Sequence, residues 1–333
     1  MPRIGMNPSR GKTLDFVPAR VTACVLTFVP YQAGFFHHRM DVVRMTIESI
    51  IANTDTPYNL LVFDNGSCKE MTDYLMGLYE KGHIDYLLLS KNNIGKLNAL
   101  KCMFQTAPGE VIAFTDDDIY HLPGWLQAHL DVLDTFPNVG AVTGFYVRER
   151  VRLSSEATVK WAGEADHTVQ RGLLMPHKWE EEYIEAYGRS LERYQSETEG
   201  IEDIIVSCNG LEAWVSAHHF QVVTPKKVIL PIIDEMLPTG WNDGLMGRMV
   251  EMDDHMDKKG YLRLTTRAQT IKLMGNAIPE EIAQIAKSHG LDVKKANITT
   301  SKTGLLKKIA RNKVVRYIMQ GVVNKLYALL NLK

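Results

Sequence analysis

Between Val21 and Val142 the chain alternates short apolar runs with stretches of helical spacing, and this alternation limits the possible folds more than any other feature. Val21 to Val29, Tyr58 to Phe63, Ile84 to Leu89, Val111 to Phe114 and Val139 to Val142 read as buried strands. Arg39 to Ala52, Met71 to Tyr79, Leu97 to Phe104 and Trp125 to Leu133 read as helices. Strands of this kind separated by helices form βαβ units, so the expected architecture is α/β: a mostly parallel, Rossmann-like sheet flanked by helices. Ligands of such sheets sit beyond the carboxyl ends of the strands.

That rule gathers three sequence motifs on one rim. The strand from Val111 ends in Asp116, Asp117 and Asp118. Adjacent like charges repel and raise one another's pKa, so the cluster calls for a cation. Mg²⁺ and Mn²⁺ prefer oxygen and commonly use one or two carboxylates plus substrate phosphates. In an extended strand end, positions i and i+2 share a face, which points Asp116 and Asp118 at one ion and turns Asp117 elsewhere. Asp64, Asn65, Gly66 and Ser67 follow the second strand, where a carboxylate can accept a base or ribose hydrogen bond. Asn92, Asn93, Ile94, Gly95 and Lys96 open the next helix, where backbone N–H groups and a lysine can meet a diphosphate.

The remainder is less regular. Residues 178 to 195 carry a stripe of Trp179, Tyr183, Tyr187, Leu191 and Tyr194, read as an inserted helix packing on the sheet, with a sugar-binding face as the sharper alternative. Residues 244 to 259 read as a helix closed by Gly260 and bearing Glu251, Asp253, Asp254, His255 and Asp257, of which an unpaired carboxylate can act as a general base. The pairs His37-His38 and His218-His219 are not natural chelates, because neighbouring side chains diverge. The expected organisation is an irregular arm over 1–20, a nucleotide-binding half over 21–146, an acceptor half with a helical insertion over 147–276, and a basic helical tail over 277–333. The interleaved Lys, Arg and apolar residues of 305–333 suit either an anionic membrane surface or docking on protein, including self-association.

Whole-chain properties exclude other classes. With 45% apolar and 23% charged residues and a formal net charge of −1, the chain is globular and shows no nucleic-acid signature. Four dispersed cysteines form no zinc spacing and suit a reducing compartment. The first residues contain no signal-peptide core, and no window reaches the run of about 18 apolar residues that a spanning helix needs. A cytoplasmic protein, soluble or peripheral at the inner membrane face, is the expectation.

Taken in order, Val21 to Val29, Leu61 to Ser67, Asn93 to Lys96, and Phe114 to Asp118 followed by Pro123-Gly124-Trp125-Leu126 resemble the nucleotide-sugar half of a family 2 glycosyltransferase of the GT-A fold. The resemblance implies a nucleoside-diphosphate sugar donor, most simply a UDP or GDP sugar, and a saccharide or other hydroxyl acceptor. It implies that Asp64 holds the base and that Asp116 and Asp118 of a DxD motif serve ribose and a Mn²⁺ or Mg²⁺ ion. Asn65, Asn93, Gly95, Lys96 and Asp117 complete the expected donor set. The catalytic base falls on Asp253 or Asp254, with Glu251 and Asp243 still in contention because the pair lies nearer Gly260 than in the family's common pattern. No histidine precedes Gly275-Asn276, where some relatives carry a metal ligand. Two alternatives remain: a sugar-phosphate nucleotidyltransferase, which expects a basic glycine-rich loop where Pro30 to Phe36 stands, and a non-catalytic nucleotide-sugar-binding protein.

Overall fold

A computed structural model of the chain describes residues 5–164, 167–291 and 293. The chain divides into two compact units, Met1–Asn297 and Ile298–Lys333. The second lies outside the described residues, and with it the expectations for 305–333. Among the described residues no helix is long and apolar enough to cross a membrane.

The first half runs β1 (Val21–Thr27), α1 (Arg39–Ala52), β2 (Tyr58–Asn65), α2 (Lys69–Glu80), β3 (Tyr86–Ser90), α3 (Lys96–Thr106), β4 (Val111–Asp116), β5 (Ile119–His121), α4 (Trp125–Thr135) and β6 (Val139–Thr143). Next come a one-turn 3-10 helix (Arg148–Val151), α5 (Glu156–Gly163), β7 (Thr168–Gly172), α6 (His177–Ala186), α7 (Leu191–Thr198), β8 (Asp203–Cys208) and β9 (Leu211–Val215). The last part holds β10 (Gln221–Pro225), α8 (Lys226–Met236), α9 (Met249–Lys258), β11 (Leu262–Thr266), β12 (Ile271–Leu273) and α10 (Glu280–Ser288).

One sheet has the order β3-β2-β1-β4-β10-β6-β11-β9-β8-β7, and β12 pairs with β5 separately. Strands β1 to β4, β6, β8 and β11 run one way, against β7, β9 and β10. Alternate side chains of the parallel strands feed two cores. Cys24, Leu61, Phe63, Ile112 and Phe114 meet Leu100, Met103 and Phe104 of α3 and Ile229, Ile232 and Ile233 of α8. Ala23, Val25, Leu60, Val62 and Ala113 meet Val43, Ile47 and Ile50 of α1 and Trp125 and Leu130 of α4. This period of two lets strands buried on both faces read as continuous apolar runs.

Four local expectations need correction. The sheet does not continue in parallel from β4 to β6, because β10 inserts antiparallel between them, with Gln221 opposite Thr115. The stripe over 178–195 is two helices: Gly188, at φ +58°, ends the first, and the Ser190 hydroxyl accepts from Arg193 N at 3.2 Å to start the second. The helix expected from residue 244 begins at Met249, since Gly244 and Leu245 are engaged against α3, while Gly260 follows it at φ +77° as the sequence suggests. Finally, the segment from 277 is not all tail. Helix α10 buries Ile282, Ala283 and Ala286, and His289 Nδ1 lies 2.8 Å from the Tyr120 hydroxyl.

Candidate active site

Register brings the acidic motifs together. Thr27 of β1 stands opposite Asp64, and Leu26 opposite Asp116, so both carboxylates reach the same sheet rim. Strand β4 ends at Asp116, and Asp117 and Asp118 form the turn into β5. Asp116 Oδ1 accepts from Lys96 Nζ at 2.6 Å. Asp117 is buried, accepting from Phe28 N at 3.3 Å and from the Arg39 guanidinium. Arg39 also donates to Asp118 Oδ2 at 3.2 Å and to the Gly275 carbonyl at 3.1 Å. Burial pushes the Asp118 carboxyl up to about 6, with Arg39 opposing and Asp116 and Asp117 adding to the rise. Asp117 is raised for the same first reason.

Three carboxylates thus face two cations. Among the described residues, one oxygen of Asp116 and one of Asp118 carry no hydrogen bond. Such a pair fits a divalent ion that completes its shell with substrate phosphate oxygens. No group of three or more His, Cys, Asp or Glu side chains arranged to hold a metal occurs among the described residues.

The rest of the rim is more committed than its sequence implies. Asp64 is 2% exposed; it accepts from the Thr27 hydroxyl at 3.2 Å and from Ser67 N and the Thr72 hydroxyl at 3.4 Å. Burial raises its pKa despite those donors. Asn65 braces the neighbouring loop, accepting from Ile94 N at 2.9 Å and donating to Asn93 Oδ1 at 3.0 Å. The backbone N–H groups expected to meet a diphosphate are occupied in this structure. Gly95 N–H goes to Asn93 Oδ1 at 2.8 Å, and Lys96 N–H to the Leu245 carbonyl at 2.9 Å. Gly95 is obligatory there: it has φ +81°, and a Cβ would lie 2.5 Å from the Gly244 oxygen. The Lys96 ammonium remains on the rim.

The carboxylate cluster of α9 centres on Asp253, which is 2% exposed. Its Oδ1 takes Arg263 Nη2 and its Oδ2 takes His219 Nδ1, both at 2.7 Å. An open carboxylate was expected, and instead Asp253 is enclosed behind His219, whose side chain keeps 15% of its surface. Phe220, the next residue, accepts from Asp116 N at 2.8 Å, placing this histidine beside the acidic turn. Ser216 precedes it at φ +109°, strain of a kind that clusters at functional sites. The other base candidates are engaged differently. Asp254 accepts from the Ser154 hydroxyl, Glu251 pairs with Arg248, and Asp243 is exposed on the loop before α9. Asp257 caps the start of α5 through Glu156 N and Ala157 N, at 3.0 and 2.9 Å. Of the aromatic stripe, Tyr183 and Tyr194 are core residues, whereas Tyr187 stays exposed, its ring 6.2 Å from that of His218.

The model of the family described as Glycosyl transferase family 2 matches residues 36–206, just over half of the chain and including the whole acidic turn. The chain belongs to family 2 of the glycosyltransferases. An uncharacterized glycosyltransferase of Nostoc sp. (strain PCC 7120) is 30% identical over 96 residues, which are 29% of this chain and 30% of that protein. The chain therefore spans about a third of the curated relative it matches. Among solved structures, a Pyrobaculum calidifontis mannosyltransferase with GDP-Man and Mn²⁺ is similar over 44% of each chain, at 24% identity and TM-score 0.31. GalNAc-T7 with UDP, GalNAc and Mn²⁺ is similar over 78% of this chain and 45% of that one, at 11% identity and TM-score 0.46.

The family 2 domain has a large mixed α/β sheet flanked by helices. Its rim gathers Asp64, Asn65, Asn93, Gly95, Lys96 and Asp116 to Asp118 and adds two residues that sequence reasoning did not select. Arg39 arrives from the start of α1, where a cation opposes the helix dipole; that local misfit is the signal of an acidic partner. His219 carried no such signal, because Asp253 lies 34 residues away.

Proposed function

We propose that this chain is a glycosyltransferase that moves a sugar from a nucleoside-diphosphate sugar, a UDP or GDP sugar most simply, to an acceptor hydroxyl. The observation that carries the reading is that the open carboxylate oxygens of Asp116 and Asp118 and the His219–Asp253 pair stand at one end of the same parallel strands. Asp116 and Asp118 would hold Mn²⁺ or Mg²⁺, which when bound supplies Lewis-acid stabilisation of the departing diphosphate. Lys96 adds a point charge beside it, and Arg39 keeps the acidic turn folded by neutralising Asp117. Asn65 and Asn93 shape the loop on which the nucleotide rests, and Asp64 ties the turn after β2 to Thr27 and Thr72.

On the acceptor side, Asp253 accepts the Nδ1 proton of His219 and so leaves Nε2 as the basic nitrogen. His219 Nε2 takes the acceptor's hydroxyl proton as the oxygen attacks the anomeric carbon, and the bond to the diphosphate breaks on the opposite face. A single displacement of this kind inverts the carbon. Asp253 acts through His219, and Arg263 fixes the Asp253 side chain from its other oxygen.

Thermal-shift screening of the full chain against UDP, GDP and TDP sugars, with and without Mn²⁺, tests the reading, because a ligand of the native state must raise its melting point. The expected result is a shift with one nucleotide that grows with Mn²⁺ and disappears in Asp118→Ala. A chain that responds to no nucleotide sugar, or an Asp118→Ala variant with an unchanged metal-dependent shift, overturns it.

A further inference from the structure

The two basic side chains that hold the acidic turn are not equivalent. Arg39 is 8% exposed and donates to three acceptors, Asp117, Asp118 and the Gly275 carbonyl. Its departure would strand the buried Asp117 carboxylate without a counter-charge, so Arg39 stays. The Lys96 ammonium has one hydrogen-bond partner among the described residues, Asp116 Oδ1 at 2.6 Å, and the side chain keeps 22% of its surface. A flexible lysine in a part-exposed pair of this kind is weakly held and readily exchanged.

Only the end of that side chain is free to move. The loop before α9 straps the backbone beneath it: Lys96 N donates to the Leu245 carbonyl at 2.9 Å, and Asn98 and Asn242 exchange hydrogen bonds at 2.7 and 2.8 Å. The stem passes Gly247, where a Cβ would lie 3.2 Å from Lys96 Cδ, and the ammonium lies 5.7 Å from the centroid of the Phe114 ring. The fold thus anchors the lysine on the rim and leaves its charged tip to rotate. Both oxygens of Asp116 share one negative charge, which Lys96 takes in this structure. A divalent ion on the open oxygen would face the ammonium across a single carboxylate, and like charges repel at such short range.

We propose that Lys96 is an exchangeable counter-ion: it neutralises Asp116 in the metal-free protein and moves to a phosphate oxygen of the nucleotide when Mn²⁺ or Mg²⁺ occupies Asp116. The inference rests on the glycosyltransferase reading and adds a coupling between metal and nucleotide within that site. Lys96 opposes the ion alone and favours the nucleotide once the ion is bound, so each ligand raises the affinity for the other. The site therefore takes a metal chiefly together with a diphosphate.

Calorimetry on the full chain tests this with Lys96→Met, which keeps the stem and removes the charge. Two changes of opposite sign are expected: Mn²⁺ alone binds about tenfold tighter than to the wild type, and UDP at saturating Mn²⁺ binds about tenfold more weakly. A lysine that only braces the fold would weaken both when removed, and a counter-ion that never leaves Asp116 would leave UDP binding unchanged. Lys96→Gln supplies the same two readings if the methionine variant does not fold. Lys101→Met removes another charge of α3, one paired with Asp234, and should move neither. Mn²⁺ binding that is unchanged or weaker, UDP affinity equal to wild type at saturating Mn²⁺, or the same two shifts in Lys101→Met overturns the inference. Failure of the wild type to bind UDP at all overturns the donor reading instead.

Discussion

Asp118→Asn should make the metal-free protein more stable. Asp118 titrates at about 6 in the fold against a usual 3.8, because burial beside two other carboxylates outweighs its contact with Arg39. The native state therefore holds the Asp118 proton more tightly than the unfolded chain does, and stability falls as pH rises from about 4 to about 6. Above that window the full cost persists. At about 1.4 kcal/mol per pKa unit it approaches 3 kcal/mol. The side chain is 31% exposed, and screening reduces this to about 1–2 kcal/mol. Asparagine keeps an oxygen for Arg39 and removes the charge. Calorimetry in EDTA at pH 7 should show a melting point about 2–4 °C above wild type, and the gap should close near pH 4. With Mn²⁺ and the nucleotide at 100 times the dissociation constant the order should reverse, since ligand binding adds about 2.7 kcal/mol to the wild type. A variant less stable than wild type in EDTA at pH 7, or a gap unchanged at pH 4, would refute the reasoning.

His219→Gln should lower kcat about 10²- to 10⁴-fold, as loss of a general base does, with donor affinity unchanged when nucleotide binding is measured by calorimetry. Gly95→Ala should destabilise by about 1–3 kcal/mol through its left-handed backbone and the Gly244 clash. Gly82→Ala has a similar φ of +74° with nothing within 4 Å and should cost less in a urea titration. Asp203 is fully buried and accepts from Arg148, Tyr146 and the backbone of Leu174 and Met175. Asp203→Asn leaves the buried Arg148 guanidinium with Glu180 as its one remaining carboxylate partner among the described residues and should cost about 1.5–3 kcal/mol, read as a lowered melting point.

The half of the domain from β1 to β6 was legible because its information is local. Each parallel strand is a continuous apolar run, each crossover helix repeats with its own period, and the rim motifs lie at the ends of those runs. Register then follows from the sheet, which is how Asp64 and Asp116 meet although 52 positions separate them in the sequence. The half of the domain after β6 stores its information in pairs distant along the chain. Asp253 looked like a free base because nothing near it in sequence neutralises it, whereas the fold delivers Arg263 from β11 and His219 from the turn before β10. The same turn hides β10 itself: a five-residue strand entering antiparallel has no crossover helix to announce it.

The two sides of the cleft also differ in sign, and this bears on what each side draws toward it. On the donor side three aspartates outnumber Lys96 and Arg39, while on the acceptor side Arg150 and Arg263 outnumber Asp253. A diphosphate approaching the first surface is repelled unless a cation accompanies it; an acidic acceptor approaching the second needs no escort. Raised salt should therefore weaken an acidic acceptor's apparent KM and leave a neutral analogue's unchanged, since only the charged group is drawn by the arginines. Initial rates from about 20 to 300 mM KCl, at saturating donor and Mn²⁺, separate the cases. Equal salt dependence for charged and neutral acceptors would remove the electrostatic argument for the acceptor side and leave the donor site intact.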